Sequence, residues 1–207
     1  FLVQASGNDK LQLYLQNNKL TDLPHSVWGN PELYTILVNN NNISYIPKSI
    51  ERAKKLKYLF MSNNSVSVWP REIANLNIYD IALDGNLVTD IPREIGDIAS
   101  LSCLSLQNNK IRALPKEMAS LSNMRWVDLR NNSIVSLDNV DTLRVEHLYL
   151  YGNPICVNNL WNERVREFVK QADSVGAGCT KQCSPYCLNI FKDLRQCLLE
   201  CMSEDCE

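Results

Sequence analysis

The sequence lacks the patterns that mark membrane spans, common catalytic centres and nucleic-acid binding. No apolar run reaches the roughly 18 residues that a membrane span requires. The formal net charge of −2 argues against a nucleic-acid partner held by phosphate contacts. No H-E-x-x-H, G-x-S-x-G or phosphate-binding loop occurs, and no signal peptide is visible. The chain is therefore expected to carry no cofactor and no membrane span, and to bind no nucleic acid.

A repeat of about 23 residues is the strongest pattern that the sequence does contain. An asparagine that follows an apolar residue by three positions recurs at Asn18, Asn41, Asn64, Asn86, Asn109, Asn132 and Asn153. The surrounding pattern is L-x-x-L-x-L-x-x-N-x-[LIV]-x-x-[LIVW]-P-x-x-[IVM], and the proline is present in the first five copies. The L-x-L alternation predicts a short strand with one buried face. Each turn can bury its leucines only against its neighbours, so the copies must stack.

This pattern resembles the leucine-rich repeat family, and the resemblance covers residues 10–156. It implies an α/β solenoid, a curved coil with a short parallel sheet on its concave face and a helical, disulfide-rich C-terminal cap. Asparagine carries both an amide donor and a carbonyl acceptor, so stacked copies can satisfy buried backbone groups. Proline fixes φ and lacks an N–H, which suits the return segment of each turn.

The regions that flank the repeats are predicted to cap the solenoid. Residues 1–9 form an N-terminal flank in which Leu2 and Val3 are expected to cover the first turn, because terminal repeats need a cap. Residues 157–178 are predicted to contain a capping helix, since the stretch after Asn159 has apolar residues on one face. Residues 179–207 form a cysteine-rich tail.

The cysteines favour an oxidising compartment. Cys103 stands alone in the fifth repeat and is interpreted as a small strand residue or a free thiol. The predicted disulfide cysteines are Cys156, Cys179, Cys183, Cys187, Cys197, Cys201 and Cys206. Such density usually indicates disulfides in a secreted protein. The segment "GNPIC" resembles the start of the C-terminal cap of extracellular leucine-rich repeat proteins, which implies a bridge between Cys156 and Cys179.

The rest of the tail is open to three interpretations. Cysteines and apolar residues at spacings of three and four after Pro185 predict an amphipathic helix with disulfides. The spacing of Cys197, Cys201 and Cys206 also resembles the start of a Notch-type repeat, although the acidic ending of such repeats is missing. A zinc site is the third interpretation, but no histidine accompanies these thiols.

Three N-x-S/T sequons give only weak support for a secreted protein. The repeat pattern itself places two asparagines before a serine, so sequons can arise as a by-product of the repeat. They lie at Asn42, Asn63 and Asn131. We expect the glycan at Asn63 or Asn131, as both positions should face out of the coil.

The variable positions of each copy are the candidate binding surface. We number each copy from the first leucine of the pattern, position 1, so that the asparagine is position 9. Side chains at positions 4 and 6 point into the core, so those at positions 3, 5, 7 and 8 are predicted to face the concave side. The candidate binding residues there are Tyr14, Leu37, Tyr58, Phe60, Asp80, Asp84, Trp126, Asp128, Arg130, His147, Tyr149 and Tyr151. Exposed aromatic and arginine side chains are typical of interaction hot spots. Aromatic residues also have a high intrinsic preference for strands, and this preference is the competing explanation for their presence at these positions.

An enzyme is disfavoured. Cys103 and His147 both occupy position 3 but are predicted to lie two strands, or roughly 9–10 Å, apart. Asp80 on the strand before Cys103 should raise the thiol pKa rather than lower it.

The sequence therefore predicts recognition of a protein or peptide ligand by a secreted protein or a receptor ectodomain, whose anchor would lie beyond residue 207. An intracellular leucine-rich repeat scaffold and a secreted enzyme inhibitor are the alternatives. The pattern leaves the oligomeric state and the ligand open.

Overall fold

A computed structural model of the chain describes residues 2–6, 10–137 and 143–157. Its strands form one sheet in sequence order. They are β1 (Leu2–Ser6), β2 (Lys10–Tyr14), β3 (Leu33–Leu37), β4 (Tyr58–Phe60), β5 (Asp80–Ala82), β6 (Cys103–Ser105), β7 (Trp126–Asp128) and β8 (His147–Tyr149). Each strand from β2 to β8 comes from one sequence repeat, so the predicted solenoid with a parallel sheet is confirmed.

The register of the parallel strands aligns equivalent repeat positions. Tyr58 pairs with Asp80, Asp80 with Cys103, and Cys103 with Trp126. The same holds at position 5, where Phe60 pairs with Ala82. Side chains at one repeat position therefore form a continuous row across the sheet.

The N-terminal flank adds an antiparallel strand to this parallel sheet. β1 pairs with β2 from Leu2 opposite Tyr14 to Ser6 opposite Lys10. An unpaired strand edge leaves N–H and C=O groups without partners. β1 supplies those partners for β2, so the flank caps the first repeat through its backbone.

The return segments are short helices that follow the repeat prolines. They comprise α1 (His25–Trp28) and 3-10 helices at Lys48–Arg52, Arg71–Asn75, Arg93–Asp97 and Lys116–Ser120. Each follows a proline, from Pro24 to Pro115, where the missing N–H is harmless because the first helical donors have no intrahelical acceptor. A further helix, α2 (Pro154–Val157), ends the described part. None of the helices in these ranges is long and apolar enough to cross a membrane.

Buried leucines and asparagines hold the turns together. Leu104 and Leu106 of β6 and its flank are completely buried. Asn109 donates through Nδ2 to the carbonyl oxygens of Leu83 (2.8 Å) and Leu106 (3.0 Å), and its Oδ1 accepts from the Val88 N–H at 2.9 Å. The asparagine therefore links one turn to the turn before it, as its stacked position predicts.

Position 8 differs from the prediction. The asparagines there have left-handed backbones with φ between 52 and 57° and turn the chain at the end of each strand. Their side chains bond to one another, as Asn63 does to Asn40 at 2.9 Å. Gly85 interrupts this row, since a Cβ there would lie 2.3 Å from Asn63 Oδ1. These residues thus form a second, outer asparagine row.

The predicted cap falls largely outside the described residues. Cys156 lies in α2. The capping helix beyond residue 157, the tail cysteines and their disulfides lie outside that part of the chain and stay predictions.

Candidate functional site

The concave face is formed by the short strands, whose side chains point alternately into the core and away from it. Ile81, Leu104 and Val127 at position 4 are completely buried in the core. Their neighbours at positions 3 and 5 project from the opposite side of the sheet. Most of the predicted binding residues therefore share one surface, and the register decides which of them meet.

Four aromatic rings cluster over the N-terminal strands. The ring of Tyr58 lies 5.7 Å from that of Tyr34, 6.2 Å from that of Phe60 and 6.5 Å from that of Tyr79. We call Tyr34, Tyr58, Phe60 and Tyr79 the tyrosine cluster. The backbone register places Leu37 next to Phe60 and Tyr14 next to Leu37. The predicted apolar group at this end of the face is therefore contiguous in the sheet.

Tyr34 and Tyr79, which both occupy position 2, are not among the predicted binding residues. Strict alternation assigns position 2 to the core side, yet Tyr79 is 43% exposed. Position 2 forms a row of its own, in which Lys57 Nζ lies 4.6 Å from the centroid of the Tyr79 ring. Recurrence of tyrosine and charged residues at position 2 was the signal that could have revealed this row.

A second aromatic group lies over the C-terminal strands. Trp126 lies 4.6 Å from Tyr149 and 5.7 Å from His147, measured between ring centroids. Trp126, Tyr149 and Cys103 form a small apolar cluster that is separate from the main core. We call these three residues the tryptophan cluster. The structure thus brings Trp126, His147 and Tyr149 together as predicted.

The predicted exposure of these aromatic residues is wrong. Trp126 is 4% exposed, Tyr149 is 3% exposed and Phe60 is 6% exposed. Rows of equivalent positions bring large side chains side by side, so each covers its neighbours. Truncation of Trp126 would therefore also remove buried contacts, whereas Tyr58 is only half-buried.

Two carboxylates occupy the middle of the face. Asp84 Oδ1 accepts from Ser105 Oγ (2.5 Å) and from the Gln107 N–H (2.9 Å), and its Oδ2 accepts from Ser62 Oγ (3.2 Å). Burial, followed by the charge of Asp84, raises the pKa of Asp80 to about 7. Burial, followed by the charge of Asp128, raises the pKa of Asp84 to about 7 despite its hydrogen bonds.

A third carboxylate is neutralised within the chain. Asp128 is buried and pairs with Arg130, whose Nη2 lies 2.6 Å from Asp128 Oδ2 and whose Nε lies 3.0 Å from both carboxylate oxygens. The Arg130 guanidinium also lies 5.8 Å from the centroid of the Tyr149 ring. Tyr151 follows β8 and is half-buried. The Asp128–Arg130 ion pair therefore lies beside the tryptophan cluster.

The geometry does not favour catalysis by Cys103. β7 separates Cys103 on β6 from His147 on β8, and Trp126 occupies the intervening place in the row. Burial, followed by the charge of Asp80, raises the pKa of the Cys103 thiol to about 12. A thiol with such a pKa is not an activated nucleophile. Within residues 2–6, 10–137 and 143–157, no cluster of three potential metal ligands occurs.

The sequons differ in how their acceptor nitrogens are used. Asn63 Nδ2 donates to Asn40 Oδ1 and Asn131 Nδ2 donates to Asn108 Oδ1, both at 2.9 Å. Asn42 is exposed and lies next to the buried Asn41. Glycosylation at any of the three remains a prediction.

Comparison with solved structures identifies proteins of similar fold. A leucine-rich repeat protein of Leptospira interrogans is 31% identical, with a TM-score of 0.72 over 77% of this chain and 41% of that one. The plant peptide hormone receptor RGFR1, solved in complex with RGF2, is 23% identical, with a TM-score of 0.61 over 69% of this chain and 24% of that one.

A third neighbour is also a plant receptor. The ectodomain of the Arabidopsis thaliana receptor kinase GASSHO1/SCHENGEN3, in complex with CASPARIAN STRIP INTEGRITY FACTOR 2, is 24% identical, with a TM-score of 0.61 over 69% of this chain. The chain spans less than half of the length of each of these proteins, and 18% of this ectodomain. No protein-family profile and no curated protein sequence matches the chain.

Proposed function

We propose that this chain, which folds as a leucine-rich repeat solenoid, recognises a protein or peptide ligand through its concave face. One observation carries the proposal. The face bears two aromatic groups and a pair of carboxylates that lie outside the main core, which is filled from positions 4 and 6 and from the return segments. Aromatic and arginine residues are typical of interaction hot spots. The two plant neighbours were solved with peptide ligands or factors bound, which supports the same role.

We further propose that the protein acts outside the cell, as a secreted protein or as part of a receptor ectodomain. The cysteine-dense tail and the plant receptor neighbours support this location. The bacterial neighbour leaves an intracellular scaffold as the alternative, and a secreted enzyme inhibitor would use the same face.

A random-peptide phage library panned on the full chain tests the recognition role. Selected peptides should bind the unmodified chain and lose most of their affinity when Tyr58→Ala removes the centre of the tyrosine cluster. Tyr45→Ala is the matched control, because Tyr45 is 39% exposed and lies outside the strands of the sheet. Binding through this face would be refuted if the selected peptides bound Tyr58→Ala with unchanged affinity, or if the library yielded no binding peptide.

Intact mass after alkylation, without reductant, tests the location. If six or more of the eight cysteines are not alkylated, the result would support an extracellular protein with a disulfide-bonded cap. Alkylation of all eight would instead favour the intracellular scaffold.

A further inference from the structure

Asp80 is a carboxylate that the rest of the described chain does not neutralise. It is 7% exposed, and it projects from the concave side because its neighbour Ile81 is completely buried in the core. Among residues 2–6, 10–137 and 143–157, none donates a hydrogen bond to its carboxylate or forms an ion pair with it. An unpaired charge away from water is costly, so a bound cation would favour the charged form of this carboxylate.

The two other carboxylates of the face show what such pairing looks like. Asp84 accepts three hydrogen bonds, from Ser62, Ser105 and the backbone of Gln107. Asp128 has the guanidinium of Arg130. Asp80 therefore stands apart from the other acidic residues of the same surface.

The nearby cations are held elsewhere. Lys57 Nζ donates to the Asn77 carbonyl oxygen at 2.8 Å and lies over the ring of Tyr79. Arg125 Nε is 3.2 Å from a carboxylate oxygen of Glu146. Both bases belong to the row at position 2, beside the row that contains Asp80.

The surroundings of Asp80 suit a cation from outside. In its row it lies between Tyr58 and Cys103, and the charge of Asp80 contributes to the raised pKa of both groups. Ala82, two residues further along β5, and Ser105, its partner on β6, both have small side chains. A tyrosine ring beside a carboxylate offers an ammonium or guanidinium both a cation–π contact and an ion pair.

A second orphaned polar group lies in the same row. The indole Nε1 of Trp126 is buried and has no hydrogen-bond acceptor within the described residues. The Nδ1 atom of His147 is also buried and has no hydrogen-bond partner there. A buried donor without an acceptor is costly, so a peptide carbonyl that reached it would be favoured. Trp126 lies two strands from Asp80, or roughly 9–10 Å.

We infer that the centre of the concave face is a subsite for a lysine or arginine side chain of a peptide, bound by Asp80, with Tyr58 next to it on β4 and Asp84 further along the same turn. The inference rests on the proposed recognition function and names the chemistry of its ligand. An extended peptide advances about 3.3–3.6 Å per residue. A carbonyl about three residues from the basic side chain would then reach Trp126.

Parallel panning of a random-peptide phage library tests this subsite. The targets are the full chain, its Asp80→Asn variant and its Asp97→Asn variant. Asp97 is exposed on a 3-10 helix of the return segments, so Asp97→Asn makes the same charge change away from the sheet. Peptides selected on the unmodified chain should be enriched in lysine or arginine at one position. Their affinity should be roughly ten- to hundredfold weaker for Asp80→Asn and unchanged for Asp97→Asn.

The outcomes separate the two proposals. Peptides that lose affinity with Tyr58→Ala but show no basic preference would overturn the cationic subsite and leave concave recognition standing. Basic peptides that bind Asp80→Asn and Asp97→Asn equally well would also overturn it, since net charge alone would then explain their selection. Failure to select any peptide would overturn both proposals.

Discussion

Acidification should stabilise this protein, in contrast to most proteins, because of the two carboxylates at the centre of its concave face. The pKa of Asp80 and that of Asp84 are each raised from 3.8 to about 7 by burial and by a neighbouring carboxylate. The unfolded chain releases both protons near pH 3.8, whereas the folded chain keeps them up to about pH 7. Between these values the folded state binds more protons, so its stability rises as the pH falls.

The size of the effect follows from the same shifts. One pKa unit corresponds to 1.36 kcal/mol, so three units set a ceiling of about 4 kcal/mol for each carboxylate. The coupling of Asp80 to Asp84 and the residual access of water to Asp84 reduce this. We expect the free energy of unfolding to increase by about 2 kcal/mol between pH 8 and pH 5. The other titratable groups facing the pair are Tyr58, Cys103 and Asp128.

Urea denaturation followed by circular dichroism across this pH range measures the effect. Asp80→Asn should raise stability at pH 8, because it removes a buried charge without changing the side-chain shape, and it should flatten the pH profile. Asp97→Asn on the convex side should retain the full slope. A wild-type profile that is flat or falls toward pH 5 would refute the reasoning, as would an unchanged slope in Asp80→Asn.

Three further predictions concern the repeats. Asn109→Ala should lower the free energy of unfolding by about 2–4 kcal/mol in a urea titration, because the buried Val88 N–H and Leu83 carbonyl lose their partner. Asn42 is exposed, so Asn42→Ala should change the free energy of unfolding by less than about 0.5 kcal/mol in the same titration. Gly96→Ala should lower the melting temperature by several degrees, because its Cβ would lie 2.3 Å from the Glu117 carbonyl oxygen; an unchanged melting curve would contradict that close approach. Cys103 should resist iodoacetamide in the folded protein near pH 8 and react after unfolding, as peptide mapping would show; rapid labelling of the native protein would rule out the buried thiol.

The architecture could be predicted because the repeat imposes the same local choice in every turn. The L-x-L alternation, the buried asparagine and the proline of the return segment each correspond to one structural role. The spacing of about 23 residues also set the register, so the sequence alone aligns Asp80, Cys103 and Trp126 in one row. The separation of Cys103 from His147 followed from that alignment.

The candidate site was harder to predict, because exposure depends on neighbours from other turns. Trp126 and Phe60 belong to the correct face, but the packing of adjacent rows buries both. Tyr79 was overlooked because alternation weakens at the end of a three-residue strand. The outer row of asparagines was missed because a left-handed backbone, as at Asn63, is a property of the turn that alternation does not describe.

By itself the sequence determined the solenoid, the order of the strands and most of the side chains on the concave face, since these depend on contacts that every repeat makes in the same way. Only the tertiary structure decided which of those side chains are buried, that Arg130 neutralises Asp128, and that Asp80 has no such partner in the described chain. Those outcomes depend on the distances between non-equivalent side chains of different turns, and a repeating pattern does not encode such distances.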